Sequence, residues 1–221
     1  MADTSREPRS GEERIDRLVQ WVKGHRRTAT IAGAVVLVVA IGIWFTVTAR
    51  QRREAFAARE LIQARNAADQ GNLPLAANDL SRLMSGYGGT AAADEAAILL
   101  AQIRLQQGQP ELAVAALREL LASGPQQRFR APAMSLLGAA LEQSGNLTEA
   151  AQAYQEGAQA AQYELLKLQL LMEAGRAYTM ADDTAQAAAI YESIIREHPE
   201  APGLGEVRLR LSEIRRSDIA S

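Results

Sequence analysis

Very few residues in this chain could carry chemistry. There are two histidines, His25 and His198, and no cysteine. Thiolate catalysis, disulfides and cysteine-based metal sites are therefore absent from the outset. The histidines lie in different segments, and neither has a nucleophile motif beside it. His198 falls where a helix is expected to end, a position that suits an imidazole beside the negative end of the helix dipole. The run Gly86–Tyr87–Gly88–Gly89 lacks the Lys that follows a phosphate-cradling loop, so it reads as a connection. Asp94–Glu95 and Asp182–Asp183 are adjacent carboxylates without metal-ligand spacing, and they suit helix starts. No catalytic set, cofactor site or metal site is expected, and an enzyme is the least favoured class.

The elements that would position any functional group announce themselves by repetition. Ala76, Ala113, Ala150 and Ala187 are each 37 residues apart. At the same step Gly71, Gly108 and Gly145 lead to Asp182. Ala64 and Ala101 lead to Gly138 and Gly175, and Leu80 and Leu117 lead to Tyr154 and Tyr191. A chain that repeats itself at this period is a stack of equivalent units, each unable to bury its own apolar face alone. The composition favours helix, being rich in Ala, Leu, Gln, Glu and Arg and poor in aromatics.

Two helices per unit follow from the pattern, a helix A and a helix B. The first unit begins near Ala57, turns at Gly71–Asn72 and ends at the glycine run. In the second, Asp94 N-caps a helix A reaching Gln107, Gly108 turns the chain, and Pro110 introduces a helix B over 111–122. The third runs from Ala131, turns at Gly145–Asn146 and continues to Ala161. The fourth runs from Leu168, turns at Asp182–Asp183 and ends at His198–Pro199. Residues 202–217, with Val207, Leu209, Leu211 and Ile214, form a polar-faced capping helix. The small residues at 64, 101, 138 and 175 let helix A approach helix B. The alanines at the 37-residue step let helix B approach the next unit, and the large residues at 80, 117, 154 and 191 fill the space between units.

These positions resemble the tetratricopeptide repeat. The second unit matches through Ala101, Gly108, Ala113, Leu117 and Pro125, and the fourth through Gly175, Tyr178, Ala187, Tyr191 and Pro199. The third departs with Gln162 and the first with Gly88 where the family has Pro, and each unit is three residues longer than usual. The resemblance covers roughly residues 57–200. It implies an all-α fold of about four repeats plus a capping helix, with a concave face built from the A helices. The residues expected to line that face are Arg65, Gln102, Gln106, Glu142, Arg176 and Met180, a mix that suits a peptide or protein groove. They do not reproduce the Lys/Asn clamp by which some members hold a C-terminal carboxylate.

Ahead of the repeats lie 22 uncharged residues, Thr28 to Ala49. As a helix they span roughly 33 Å, enough for a bilayer core of about 30 Å. The run is long for a cleaved signal peptide. It reads as a single transmembrane helix, with Trp44 and Phe45 near one interface and Trp21 near the other. Ala29 and Gly33 form a small-xxx-small step for helix packing. Residues 12–23 read as a short amphipathic helix, introduced by Ser10 and Glu13, that lies on the membrane, docks a membrane partner or simply leads into the anchor. The expected division is a cytoplasmic leader at 1–27, a span at 28–49, a juxtamembrane linker or helix at 50–56, and repeats with their cap at 57–221. Residues 1–53 carry ten basic and five acidic residues and residues 54–221 fourteen and twenty-one, balances of +5 and -7. An acidic repeat domain argues against nucleic acid as a partner. Flanking charges tie across the span, so the positive-inside rule does not orient it; the short basic leader favours an N-terminus in the cytoplasm.

The whole layout is similar to the bacterial ancillary subunit family of the Sec translocon. It combines a leader containing Arg-Leu-Val-Gln-Trp-Val-Lys, one anchor and an alanine-rich repeat domain. This resemblance implies a single-pass protein of the bacterial inner membrane with a periplasmic repeat domain. It also implies a non-enzymatic adaptor whose partners are the lipid bilayer and membrane or periplasmic proteins, among them the translocon or chaperones. No small-molecule substrate is expected. The alternative is a structural or assembly subunit of another inner-membrane complex, respiratory, photosynthetic or divisional.

Overall fold

A computed structural model describes residues 26–220. Trp21, the segment 12–23 and most of the leader lie outside the described residues. Among those residues there are nine helices and no strand: α1 (Arg26–Asp69), α2 (Leu73–Tyr87), α3 (Ala91–Gln106), α4 (Pro110–Ala122), α5 (Gln127–Gln143), α6 (Leu147–Ala160), α7 (Glu164–Met180), α8 (Thr184–Glu197) and α9 (Leu204–Ala220). The chain divides into two compact units between Arg52 and Arg53.

The first unit contains the apolar stretch of α1, within which Ala29 and Gly33 lie as helical backbone. The helix is long and apolar enough to cross a membrane, and none of its most apolar window is buried. Val35 through Val39, Ile41, Ile43, Trp44 and Phe45 are all exposed. The helix is unbroken across residues 50–56.

The second unit is a solenoid of four hairpins, α1–α2, α3–α4, α5–α6 and α7–α8, followed by α9. The first hairpin uses the C-terminal part of α1, where Ala57, Leu61, Ala64 and Ala67 are buried. From α2 to α9 successive helices pack in chain order, and α3 also meets α5. The hairpin turns share one geometry. Gly71, Gly108, Gly145 and Asp182 have φ of 78°, 68°, 79° and 62°. The residue after each donates its N–H back five positions, Asn72 to Ala67, Gln109 to Arg104, Asn146 to Leu141 and Asp183 to Tyr178. This is the Schellman closure of a helix end, and it needs a left-handed residue. Asp182 meets the requirement as a non-glycine, at some conformational cost.

Ala76, Ala113, Ala150 and Ala187 are each 0 % exposed, as expected for close contacts. The large residues sixteen positions after the small ones also fill space within their own hairpin, besides reaching the next unit, where Tyr154 lies near Glu173 and Arg176. A Cβ on Gly138 would lie 2.6 Å from the Tyr154 ring, and one on Gly175 would lie 2.7 Å from the Tyr191 ring. In the first two hairpins Ala64 and Leu80, and Ala101 and Leu117, occupy the same places fully buried. Alanine is thus matched with leucine and glycine with tyrosine, because each hairpin has a fixed volume to fill.

Several helix boundaries differ from the sequence reading. Helix α3 begins at Ala91, capped by Thr90, whose side chain accepts from the Ala93 N–H at 3.1 Å. Asp94 is not its cap. It is buried in the first turn and accepts the Gln126 N–H at 3.0 Å, so it serves the start of α5 instead. Glu54 does the same for α3, accepting the N–H groups of Ala91 and Ala92 at 3.1 and 3.2 Å. Caps supplied from a neighbouring unit lengthen these helices beyond what local signals mark. Helix α5 accordingly starts at Gln127 and contains Pro132, where the sequence starts it at Ala131. Helix α7 starts at Glu164 rather than Leu168. Gly86 and Tyr87 belong to α2, so only Gly88–Gly89 make that turn. In α9, Val207, Leu211 and Ile214 are buried, but Leu209 is 53 % exposed because it falls off their 3.6-residue stripe.

Candidate functional site

All six residues selected from the sequence lie on A helices: Arg65 on α1, Gln102 and Gln106 on α3, Glu142 on α5, and Arg176 and Met180 on α7. The 37-residue step aligns Arg65, Gln102, Ala139 and Arg176 in one column, and Asp69, Gln106, Gln143 and Met180 in the next. Beside them runs a column the sequence reading missed, Ile62, Leu99, Leu136 and Glu173, three residues before the first and on the same helical face. Ile62 is 55 % exposed, and Leu99 and Leu136 are half-buried. The step itself would have revealed its three apolar members.

Arg65, Glu142, Glu173 and Arg176 are not free. The Arg65 guanidinium donates to Glu95 of the next unit. Arg176 donates one nitrogen to both Glu142 oxygens, at 2.7 and 2.8 Å, and its Nε to Glu173 at 2.8 Å. A third nitrogen of Arg176 lies 3.0 Å from the Met180 sulfur. Hydrogen bonding to Glu142, and then to Glu173, holds the Arg176 charge more firmly than in water, outweighing the opposing effect of burial. Burial also pushes the Tyr154 hydroxyl well above the usual phenol range, and the carboxylates of Glu142 and Glu173 add to it. The structure thus brings Glu142, Arg176 and Met180 into one network that binds α5 to α7, and places Arg65 in a separate clasp between α1 and α3.

Glu95, Glu173 and Tyr154 belong to these clasps and were missed. A signal did exist. Residues on neighbouring units meet when they are one period less one or two turns apart, and the pairs Arg65–Glu95, Arg118–Glu149 and Arg176–Glu142 are separated by 30, 31 and 34 residues. Gln102 and Gln106 are exposed and make no side-chain hydrogen bond among the described residues, and Met180 is 53 % exposed. A pocket of about 370 Å³ lies at the end of the face, lined by Arg176, Met180, Tyr191, Arg210 and Glu213.

His198 Nδ1 sits 2.9 Å from Glu164, tying the end of α8 to the start of α7. The described residues contain no group of three or more His, Asp or Glu able to hold a metal. The arrangement has the chemistry of a contact surface, with exposed amides and apolar side chains between ion-pair clasps.

Fold and face together define a helical-hairpin solenoid, a class of protein-interaction module. The chain matches the family model of the tetratricopeptide repeat-like domain over residues 46–173, and a tetratricopeptide repeat model over residues 169–201. It belongs to the tetratricopeptide repeat-like family, and its repeats make it a protein–protein interaction scaffold. A tetratricopeptide repeat protein from Parabacteroides merdae superposes with a TM-score of 0.58 at 14 % identity, covering 73 % of this chain and 60 % of that one. PilF of Pseudomonas aeruginosa superposes with a TM-score of 0.53 at 21 % identity, covering 76 % and 71 %. These likenesses are of fold. No curated protein matches the chain.

Proposed function

We propose that the chain is a membrane-anchored, non-enzymatic scaffold. In this reading residues 28–49 cross the bacterial cytoplasmic membrane, residues 1–27 remain in the cytoplasm, and the repeats at 57–221, joined through 50–56, face the periplasm. The observation that carries it is the wholly exposed apolar stretch of α1, followed in the same chain by an interaction module. An exposed helical surface of that length is costly in water and stable in lipid. Trp44 and Phe45 suit a membrane interface, and Ala29 and Gly33 suit close approach to another membrane helix.

The repeat face binds exported or membrane proteins, and the similarity of layout to the ancillary translocon subunits favours the translocon and its chaperones. Gln102, Gln106 and Met180 offer the exposed contacts, with Arg65, Glu142 and Arg176 shaping the groove. Carbonate-resistant pelleting of the full chain, with digestion of the repeats by protease added to spheroplasts, is the expected result. Recovery in the soluble fraction, or protection from external protease, would contradict it. Mild detergent extraction then separates the partner readings. A substoichiometric translocon or chaperone component supports the adaptor, and a stoichiometric complex unrelated to secretion supports a structural subunit instead.

A further inference from the structure

Helix α9 reads in register with the A helices. Adding 37 to the small-residue column at 64, 101, 138 and 175 reaches Ser212, and the buried Leu170, Ala174 and Ala177 lead to the buried Val207, Leu211 and Ile214. Helix α9 is thus built as a fifth helix A. In the hairpins before it, a helix B lies on the small residue, as the Tyr191 ring does on Gly175.

At the matching place on α8 and α9 lies an open groove of about 660 Å³. Its apolar floor is Ile195 and Leu211, with Ser212 beside them. One unit earlier, the equivalents of Ile195, Leu211, Ser212 and Arg215 are Ala158, Ala174, Gly175 and Tyr178, all buried. On α9, Ser212 and Arg215 are exposed. The rim carries Arg196, Arg208, Arg215 and Arg216 against one lining carboxylate, Glu192. Glu192 already pairs with Arg215 at 2.7 Å, and Arg196 pairs with Glu197 at 3.0 Å. Arg208 and Arg216 have no carboxylate partner among the described residues. In a repeat domain with a balance of -7, this is a concentrated positive rim over an apolar floor.

We propose that the α8–α9 groove is a docking seat for an acidic amphipathic helix of a partner protein, which lies on Ser212 as a fifth helix B. The register fixes the shape of the occupant. It is a helix presenting a Leu or Tyr to Ser212 and an apolar stripe to Ile195 and Leu211. The unpaired arginines fix its charge, because an acidic flank neutralises Arg208 and Arg216 while a basic flank is repelled. This surface is distinct from the A-helix face and does not depend on the membrane placement.

The test uses the full chain in detergent and two labelled, helix-stapled peptides derived from α8, the helix that covers the equivalent surface one unit earlier. One carries Arg196→Glu, and the other carries Glu192→Lys and Glu197→Lys. Fluorescence anisotropy should show saturable binding of the acidic peptide, about tenfold or more tighter than the basic one and weakened by salt. The R208E/R216E variant should reverse that preference. S212W, which fills the seat from an exposed position, should abolish binding with the helical circular dichroism unchanged. Equal affinities, no saturable binding, or binding indifferent to both variants would overturn the proposal. So would a fall in the oligomeric mass of the unliganded full chain caused by S212W, which would give the seat to a second copy.

Discussion

Replacing Gly138 by Ala tests the matched glycine–tyrosine packing most directly. The new Cβ would stand 2.6 to 2.7 Å from three atoms of the Tyr154 ring, closer than carbon atoms can approach. The ring is 4 % exposed and packed against Gly138, so it cannot swing into solvent. Overpacking of this kind costs about 1–3 kcal/mol, and removing a helix-interior glycine returns about 1 kcal/mol. A net loss of about 1 kcal/mol is expected for G138A. Y154L alone leaves a void under the ring and should cost about 2–3 kcal/mol. The double variant recreates the Ala–Leu pair that the first two hairpins use, and should cost only about 1.5 kcal/mol. The coupling between the two sites is then about 2 kcal/mol. Urea unfolding of the repeat domain, followed by helical circular dichroism in the detergent-solubilised full chain, reads all four corners. Midpoints are compared only where the m-value is unchanged, since repeat arrays can unfold in parts. A cycle additive within about 0.5 kcal/mol, or a G138A protein as stable as the parent, would refute the reasoning. The same change at Gly175 should cost less, because Tyr191 borders the pocket of about 370 Å³ into which its ring can retreat.

Three further outcomes follow from single features. D182G should stabilise the repeat domain by about 0.5 kcal/mol in the same urea assay, because it relieves a non-glycine left-handed residue at the position glycine holds in the other three turns. D94A should cost about 1–2 kcal/mol, since it strips the Gln126 N–H of its acceptor in a partly buried contact, and amide exchange at the start of α5 should rise with it. Tyr154, Tyr178 and Tyr191 all have hydroxyls raised above 10, chiefly by burial. Their folded values exceed the unfolded one, so this contribution to stability is intact below pH 10 and is lost as pH climbs through the folded values. Absorbance at about 295 nm should show these phenolates appearing together with loss of helix, and Y154F/Y191F should flatten the alkaline decline.

For the residues proposed to form the contact face, the repeat phase made exposure legible for some and pairing for none. Gln102, Gln106 and Met180 sit exposed on A helices as the repeat phase places them. The same phase points Arg65, Glu142 and Arg176 toward the groove, yet the structure occupies their charges in clasps between units. A charged side chain one helical position from a groove looks the same in sequence whether it faces a ligand or a neighbouring carboxylate. The partner is decided by how two units are stacked.

The sequence by itself determined the repeating hairpins, their turns and the apolar run near the N-terminus. Helical periodicity, the left-handed demand at each turn and uncharged length are local properties, and four repetitions average out the degeneracy of each. Only the tertiary structure decided that Glu54 and Asp94 cap helices of the following unit, that Tyr154 and Tyr191 fill their own hairpins, and that α9 presents Ser212 beneath an arginine rim. The caps and the tyrosine contacts join residues 16 to 38 positions apart. At that range packing volume and burial choose the partner, and both exist only once the units are stacked.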